Sequence, residues 1–241
     1  MPTPFRWCPP GFQIGYRDPL QVRIEKIGDH PDPCRVAYVS DIHLRSGRSQ
    51  LLSEQVIDAL KLAEPDLILF GGDLVDFESE IPAMRSMLNL ALDLAPAFAI
   101  PGNHDINVGE NLVRDTVVET GGAWIQNRTA DFHHGQRRIA VSGPGADPDS
   151  TADVRILCEH YPSAWWQARH AGFDLVLAGH LHACQAALFE AWGRLFPGAF
   201  FYPHNFKRWR HGDSHLIVSH GCVDLLPIRW GCPRELLLCL L

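Results

Sequence analysis

Asp41 and His43 stand two residues apart, Asp73 follows a glycine pair, Asn103-His104-Asp105 follow Gly102, His160 stands alone, and His180 and His182 are again two apart. Residues two apart in an extended segment project to the same side and can clasp one ion. Carboxylate, amide and imidazole donors without thiolate suit Mn²⁺, Fe or Zn²⁺ in a catalytic role; cysteines would have pointed to a structural zinc or an iron–sulfur centre. Asp41, His43, Asp73, Asn103, His160, His180 and His182 are too many ligands for one ion. Two ions bridged by one carboxylate would use them all, activating a bridging water and clamping both oxygens of an in-line displacement at phosphorus. Taken singly, an Asp after a strand is commonly a turn former and a lone His a surface residue. The joint occurrence is what points to phosphoester hydrolysis.

Every one of these motifs ends an apolar run, and that defines the elements that must hold them. Val36–Val39, Leu67–Phe70, Ala97–Ile100, Val154–Cys158 and Leu175–Ala178 read as strands, with segments of helical period at Ser49–Ala63 and Pro82–Leu94 and another ending near Thr120. That is βαβαβ order, hence an α/β fold, in which side chains beyond the carboxyl ends of the strands converge. Further strands are expected at Ala123–Phe132, Arg137–Ser142, Leu216–Ser219 and Glu235–Leu241, with a Gly/Pro/Asp-rich loop at Gly143–Ser150. Seven of the 18 prolines precede residue 34, so residues 1–35 read as an irregular lead-in around one strand, Leu20 to Ile27. Without an internal repeat or a linker, residues 1–241 are expected to form a single domain.

Composition excludes several classes. With 46% hydrophobic and 20% charged residues the chain is not disordered, and 21 Lys and Arg against 28 Asp and Glu argue against a broad nucleic-acid footprint. Seven cysteines without a C-x-x-C pair read as reduced core thiols, which suits the cytosol. The N-terminus has no apolar h-region, and no apolar stretch reaches the roughly 18 residues of a span. A cytoplasmic protein, at most peripheral at the inner membrane surface, is expected.

The order D-x-H, G-D, G-N-H-D, lone H and G-H-x-H, running from Asp41 to His182, resembles the calcineurin-like metallophosphoesterases. The resemblance implies a sandwich of two mixed β-sheets flanked by helices, with two divalent metal ions at the shared edge, Mn²⁺ favoured over Fe or Zn²⁺. It also implies roles. Asp41, His43 and His182 would hold the first metal, Asn103, His160 and His180 the second, and Asp73 would bridge; His104 would act as general acid, oriented by Asp105. The tail, through Gln185, Ile217–Gly221 and Pro227-Ile228-Arg229, is similar to the bacterial branch of membrane-associated phosphohydrolases and UDP-diacylglucosamine hydrolases. It departs at Ala183-Cys184, where that branch usually carries two glycines.

Residues 189–211 hold eight of the chain's 23 aromatics together with Arg194, Lys207, Arg208 and Arg210. Two readings stay open: a hairpin packing its rings on the core, or an aromatic and basic lid that holds an acyl chain or meets an anionic membrane. His204, Arg208 and His220 are candidate substrate contacts. The expected activity is cleavage of a phosphodiester or pyrophosphate bond in a small-molecule, lipid-linked or nucleotide-bearing substrate such as UDP-diacylglucosamine. A phosphomonoesterase or phosphoprotein phosphatase, and a non-catalytic scaffold, are the alternatives.

Overall fold

The strands of the computed structural model are, along the chain, β1 (Arg6–Trp7), β2 (Phe12–Ile14), β3 (Gln21–Lys26), β4 (Arg35–Val39), β5 (Leu67–Phe70), β6 (Ala97–Ala99), β7 (Ala123–Trp124), β8 (Thr129–His134) and β9 (Arg137–Ser142). They continue with β10 (Val154–Cys158), β11 (Leu175–Ala178), β12 (Ala187–Ala191), β13 (Arg194–Pro197), β14 (Arg208–His211), β15 (Ser214–Val218), β16 (Ile228–Trp230) and β17 (Glu235–Leu240). The α-helices are α1 (Ser49–Ala63), α2 (Ile81–Leu92), α3 (Asn103–Glu119) and α4 (Trp165–Ala171). The structure describes residues 5–8, 11–223 and 226–241; Pro2, Pro4, Pro9 and Pro10 of the lead-in lie outside them.

Two six-stranded mixed sheets dominate, in the orders β3-β17-β4-β5-β6-β7 and β14-β15-β11-β10-β9-β8. Their inner strands are parallel, β4 to β7 in one and β9, β10, β11 and β15 in the other. Period-two alternation explains the layering. Val36 and Tyr38 of β4 point between the sheets, where they meet Ile139, Ile156, Cys158, Leu175 and Leu177 of the other sheet. Ala37 and Val39 point outward, onto a core shared with α1, α2 and α3. On the far side Val176 and Leu216 pack with Trp165 and Phe206. Buried on both faces, these strands read as unbroken apolar runs, which is why they were visible in the sequence.

The structure differs from the sequence reading in three places. The expected strand Ala123–Phe132 is two, because the chain turns at Asn127, in the left-handed region at φ 55°, and leaves the first sheet for the second. The lead-in is less irregular than its prolines suggest: besides β3 it contributes β1 and β2, which pair with the late strands β12 and β16. Residues 189–211 begin in a hairpin, β12–β13, whose two-residue turn Trp192-Gly193 has both φ positive, as a type I′ turn requires. Their rings divide, with Phe206 buried at 1% exposure and Phe201 exposed at 78%. No helix among the described residues is long and apolar enough to cross a membrane.

Candidate metal centre

Asp41 follows β4, Asp73 follows β5 and Asn103 follows β6, all in the first sheet, while His160 follows β10 and His180 and His182 follow β11 in the second. The parallel order brings these ends to one edge, where the groups fall into two clusters. Asp41, His43 and His182 offer ligand atoms within 4.8 Å of one another, and so do Asp73, His160 and His180. Asp73 lies between them, its Oδ2 3.7 Å from His43 Nε2 and 3.4 Å from His160 Nε2. Asn103 Oδ1 is 3.2 Å from His160 Nε2 and joins the second cluster.

The sequence folds this way locally because other side chains are excluded. A Cβ on Gly102 would lie 2.1 Å from Asp73 Oδ1, and one on Gly179 2.5 Å from Asp41 Oδ2. The candidate ligands themselves carry strain. Of the eleven non-glycine residues with positive φ among the described residues, five are Asp41, His43, Asp73, His180 and His182. Such clustering is typical of sites where surrounding structure over-determines the backbone. Ala183 and Cys184 share it, at φ 51° and 54°, so the loop adopts a conformation that glycine favours although the glycines are missing.

Three imidazoles are fixed in the tautomer a metal ligand needs. His43 Nδ1 donates to Asp76 Oδ1 (2.7 Å), His160 Nδ1 to Gly71 O (2.8 Å) and His182 Nδ1 to Val223 O (2.5 Å), which leaves Nε2 of each facing the clusters as the atom that would bind a metal once deprotonated. The electrostatics are those of a cation site. Burial would raise the Asp41 carboxyl, but the imidazoles of His182, His160 and His43 and the Ser40 hydroxyl (2.6 Å) hold it down at about 2. Burial likewise opposes a charge on His160, yet Asp73 and Asp41 lift it to about 9. These donors and charges fit divalent metal ions.

Beside this cluster His104, one-third exposed, has its Nδ1 2.8 Å from Asp76 Oδ1. Asp76, not Asp105, is the carboxylate at its Nδ1. Asp105 is fully buried, and its carboxylate accepts from the backbone N–H groups of Gly102 (2.9 Å), Leu74 (2.9 Å) and Val75 (3.1 Å), capping α3 and tying it to the Asp73 loop. Burial lifts its carboxyl to about 6 against those three bonds. Asp76 had a signal in the sequence, a second carboxylate three residues after Asp73. Tyr161, directly after His160, is the other newcomer: its ring lies 4.5 Å from that of His180 and its hydroxyl 3.4 Å from Asn103 Oδ1.

The three candidate substrate contacts are not among the groups of the two clusters. His220 is buried between Glu235 (Nδ1 to Oε2, 3.2 Å) and Arg23, and burial holds it well below the usual histidine range; a Cβ on the next residue, Gly221, would lie 2.9 Å from Asp41 Cβ. Arg208 is exposed on the edge strand β14, 3.9 Å from Glu25. His204 is half-buried beside Trp166, with ring centroids 6.2 Å apart.

Two facing sheets with Asp, Asn and His donors at their common edge define a metal-dependent phosphohydrolase. Residues 34–184 match the model of the calcineurin-like phosphoesterase family, and the chain belongs to that family. It is similar to the phosphodiesterase YaeI of Escherichia coli, at 27% identity over 95% of this chain and 88% of that protein. A Helicobacter pylori metallophosphoesterase is 26% identical over 84% of this chain, which spans only 58% of that relative's length. Among solved structures, an archaeal phosphodiesterase is 12% identical, with a TM-score of 0.44 and coverage of 78% of this chain and 84% of that one.

Proposed function

We propose that the protein hydrolyses a phosphodiester or pyrophosphate bond, using two divalent ions held by Asp41, His43 and His182 on one side and Asn103, His160 and His180 on the other, with Asp73 between them. The observation that carries this is the position of the Asp73 carboxylate, within 3.7 Å of imidazoles from both clusters. Bound ions would supply a water activated at neutral pH and a clamp on the phosphoryl oxygens. The chain's own groups do the rest. His104, with Nδ1 held by Asp76, gives its Nε2 proton to the leaving oxygen. Tyr161 stands over His160 and His180, where its hydroxyl is within reach of a phosphoryl oxygen.

The preference for a diester rests on the E. coli relative, which carries that activity in its name. We favour Mn²⁺, a cytoplasmic setting with peripheral membrane contact, one domain over residues 1–241, and a lipid-linked substrate of the UDP-diacylglucosamine kind; the tail around Gln185 and Pro227-Ile228-Arg229 supports the last. A panel of bis-p-nitrophenyl phosphate, p-nitrophenyl phosphate, UDP-sugars and UDP-diacylglucosamine, assayed with Mn²⁺, tests the reading. Diester or pyrophosphate turnover above monoester turnover is expected. Faster hydrolysis of p-nitrophenyl phosphate would favour the phosphomonoesterase.

A further inference from the structure

Two small sheets lie beside the double-sheet core, and one of them is apolar on the side that faces water. In the ribbon β2–β16, Ile14 pairs with Ile228, Gln13 with Arg229 and Phe12 with Trp230. The middle pair faces the body of the protein. Arg229 is buried and donates to the carbonyls of His220 (2.7 Å) and Cys232 (3.1 Å), while Gln13 Oε1 accepts from the Arg234 backbone N–H. The outer face is therefore Phe12, Ile14, Ile228 and Trp230, all exposed. A solvated ribbon ordinarily shows the opposite pattern, apolar inward and polar outward.

The second small sheet, β1-β12-β13, adjoins this ribbon, since Ala186 bridges to Trp230 and Gly231 N donates to Gly11 O. Phe5, Phe189, Phe196 and Phe200 run across it with successive ring centroids 4.9 Å apart, and Trp7 beyond them is 71% exposed. Residues 5–14, 187–211 and 226–234 thus hold twelve of the 23 exposed large apolar side chains among the described residues, in under a fifth of the chain. Isolated apolar residues on a surface are ordinary, whereas a contiguous patch of this kind marks an interaction site.

Charge selects the partner. The same three segments hold seven of the chain's 21 Lys and Arg but only one, Glu190, of its 28 Asp and Glu. Arg229 and Arg234 are buried, so the cations of this surface are Arg6, Arg194, Lys207, Arg208 and Arg210, and Glu190 is buried as well, in a chain of net −7. A basic rim around exposed tryptophan and phenylalanine complements an anionic bilayer, where cations meet headgroups and aromatic rings settle at the interface. The ribbon also touches the metal loops: Gln185, three residues after His182, donates through Nε2 to Ile228 O at 2.9 Å.

We infer that the two small sheets form a membrane-docking face that lays the metal centre beside an anionic bilayer surface. A phosphoester carried by a lipid would then reach the ions with its acyl chains still in the membrane; that consequence rests on the lipid-linked reading above, whereas the docking does not. The test is co-sedimentation of the metal-loaded protein with phosphatidylcholine vesicles, with and without phosphatidylglycerol, at low and high salt. Binding only to the anionic vesicles, weakened by salt, is expected. The double variant F12S/I14S should lose at least about tenfold in partitioning, and Arg6→Gln about fivefold, with melting temperature and bis-p-nitrophenyl phosphate hydrolysis unchanged. Wild-type protein that stays in the supernatant with both vesicles, or F12S/I14S binding as well as wild type, would overturn the inference. So would the loss of a wild-type dimer in F12S/I14S when neither protein binds vesicles, since the face would then cover a second copy. Because binding is read without turnover, an inactive protein that still binds would count against the hydrolase reading alone.

Discussion

Asp76 stands against two histidines at once, its Oδ1 accepting from His43 Nδ1 (2.7 Å) and lying 2.8 Å from His104 Nδ1, while Arg45 meets its Oδ2. Burial would raise its carboxyl, but the His43 hydrogen bond and the Arg45 charge hold it at about 2. An amide cannot offer two charged acceptor oxygens. Asp76→Asn should therefore cost about 10–100-fold in metal affinity or turnover, the usual scale for a group that orients a ligand; unchanged metal titration and kcat would remove Asp76 from the site. His104→Ala should lower kcat by roughly 10²–10⁴ for an alkoxide leaving group and far less for p-nitrophenolate, which needs no proton, with metal content retained. Equal losses on both substrates would make His104 a phosphate-positioning residue. His160 yields the pH dependence. Its pKa without metal is about 9, raised above the ordinary 6.5, so its pairing with Asp73 and Asp41 stabilises the fold fully below about pH 6.5 and fades as pH rises through 9. A metal must displace that proton. Ion uptake at neutral pH should release at least one proton and tighten as pH rises towards 9, as calorimetry in buffers of different ionisation enthalpy would show.

At the scale of elements, the precision of the site depends on how closely strand ends approach. β5 and β6 end so near each other that any side chain at residue 102 would occupy the space of the Asp73 carboxylate. Gly102→Ala should then displace Asp73 and lose second-ion binding and about 10² or more of kcat, although residue 102 is no ligand and carries no functional group. Metal analysis and near-ultraviolet circular dichroism would separate this from unfolding. A fully loaded, active Gly102→Ala protein would mean that the loop can retreat. The ligand loops match their glycines to their neighbours in this way at Gly179 as well, where Ser40 and Asp41 stand opposite.

For the molecule as a whole, candidate ligands drawn from both sheets would make bound ions cross-links between them. A ligand that binds only the native state stabilises it by mass action, by about 4 kcal/mol for each ion present at 1,000 times its dissociation constant. Chelation should therefore lower the melting temperature by about 10 °C or more, since about 1 kcal/mol moves a chain of this size by 2–4 °C. Re-addition of Mn²⁺ should restore it. Identical melting curves with and without chelator, in protein known to have carried metal, would show that the sheets hold together without help from the centre.

Sequence alone determined the strands that are buried on both faces and what stands at their ends. Leu67–Phe70 and Ser49–Ala63 were legible to the residue, and Asp41, His43, Asp73, Asn103, His160, His180 and His182 could be named, because parallel strands place the residue after each apolar run at one edge whatever the details of packing. Tertiary structure alone decided which carboxylate serves which histidine. Asp105 is adjacent to His104 in sequence, but as the third residue of α3 its carboxylate turns back onto the amides of residues 74, 75 and 102, whereas Asp76 reaches His104 across the fold. The same holds for the lead-in. Nothing local marks Phe12 and Ile14 as outward-facing, because the side that a strand presents to water is set by its register with a distant partner, here Ile228–Trp230 more than 200 residues on.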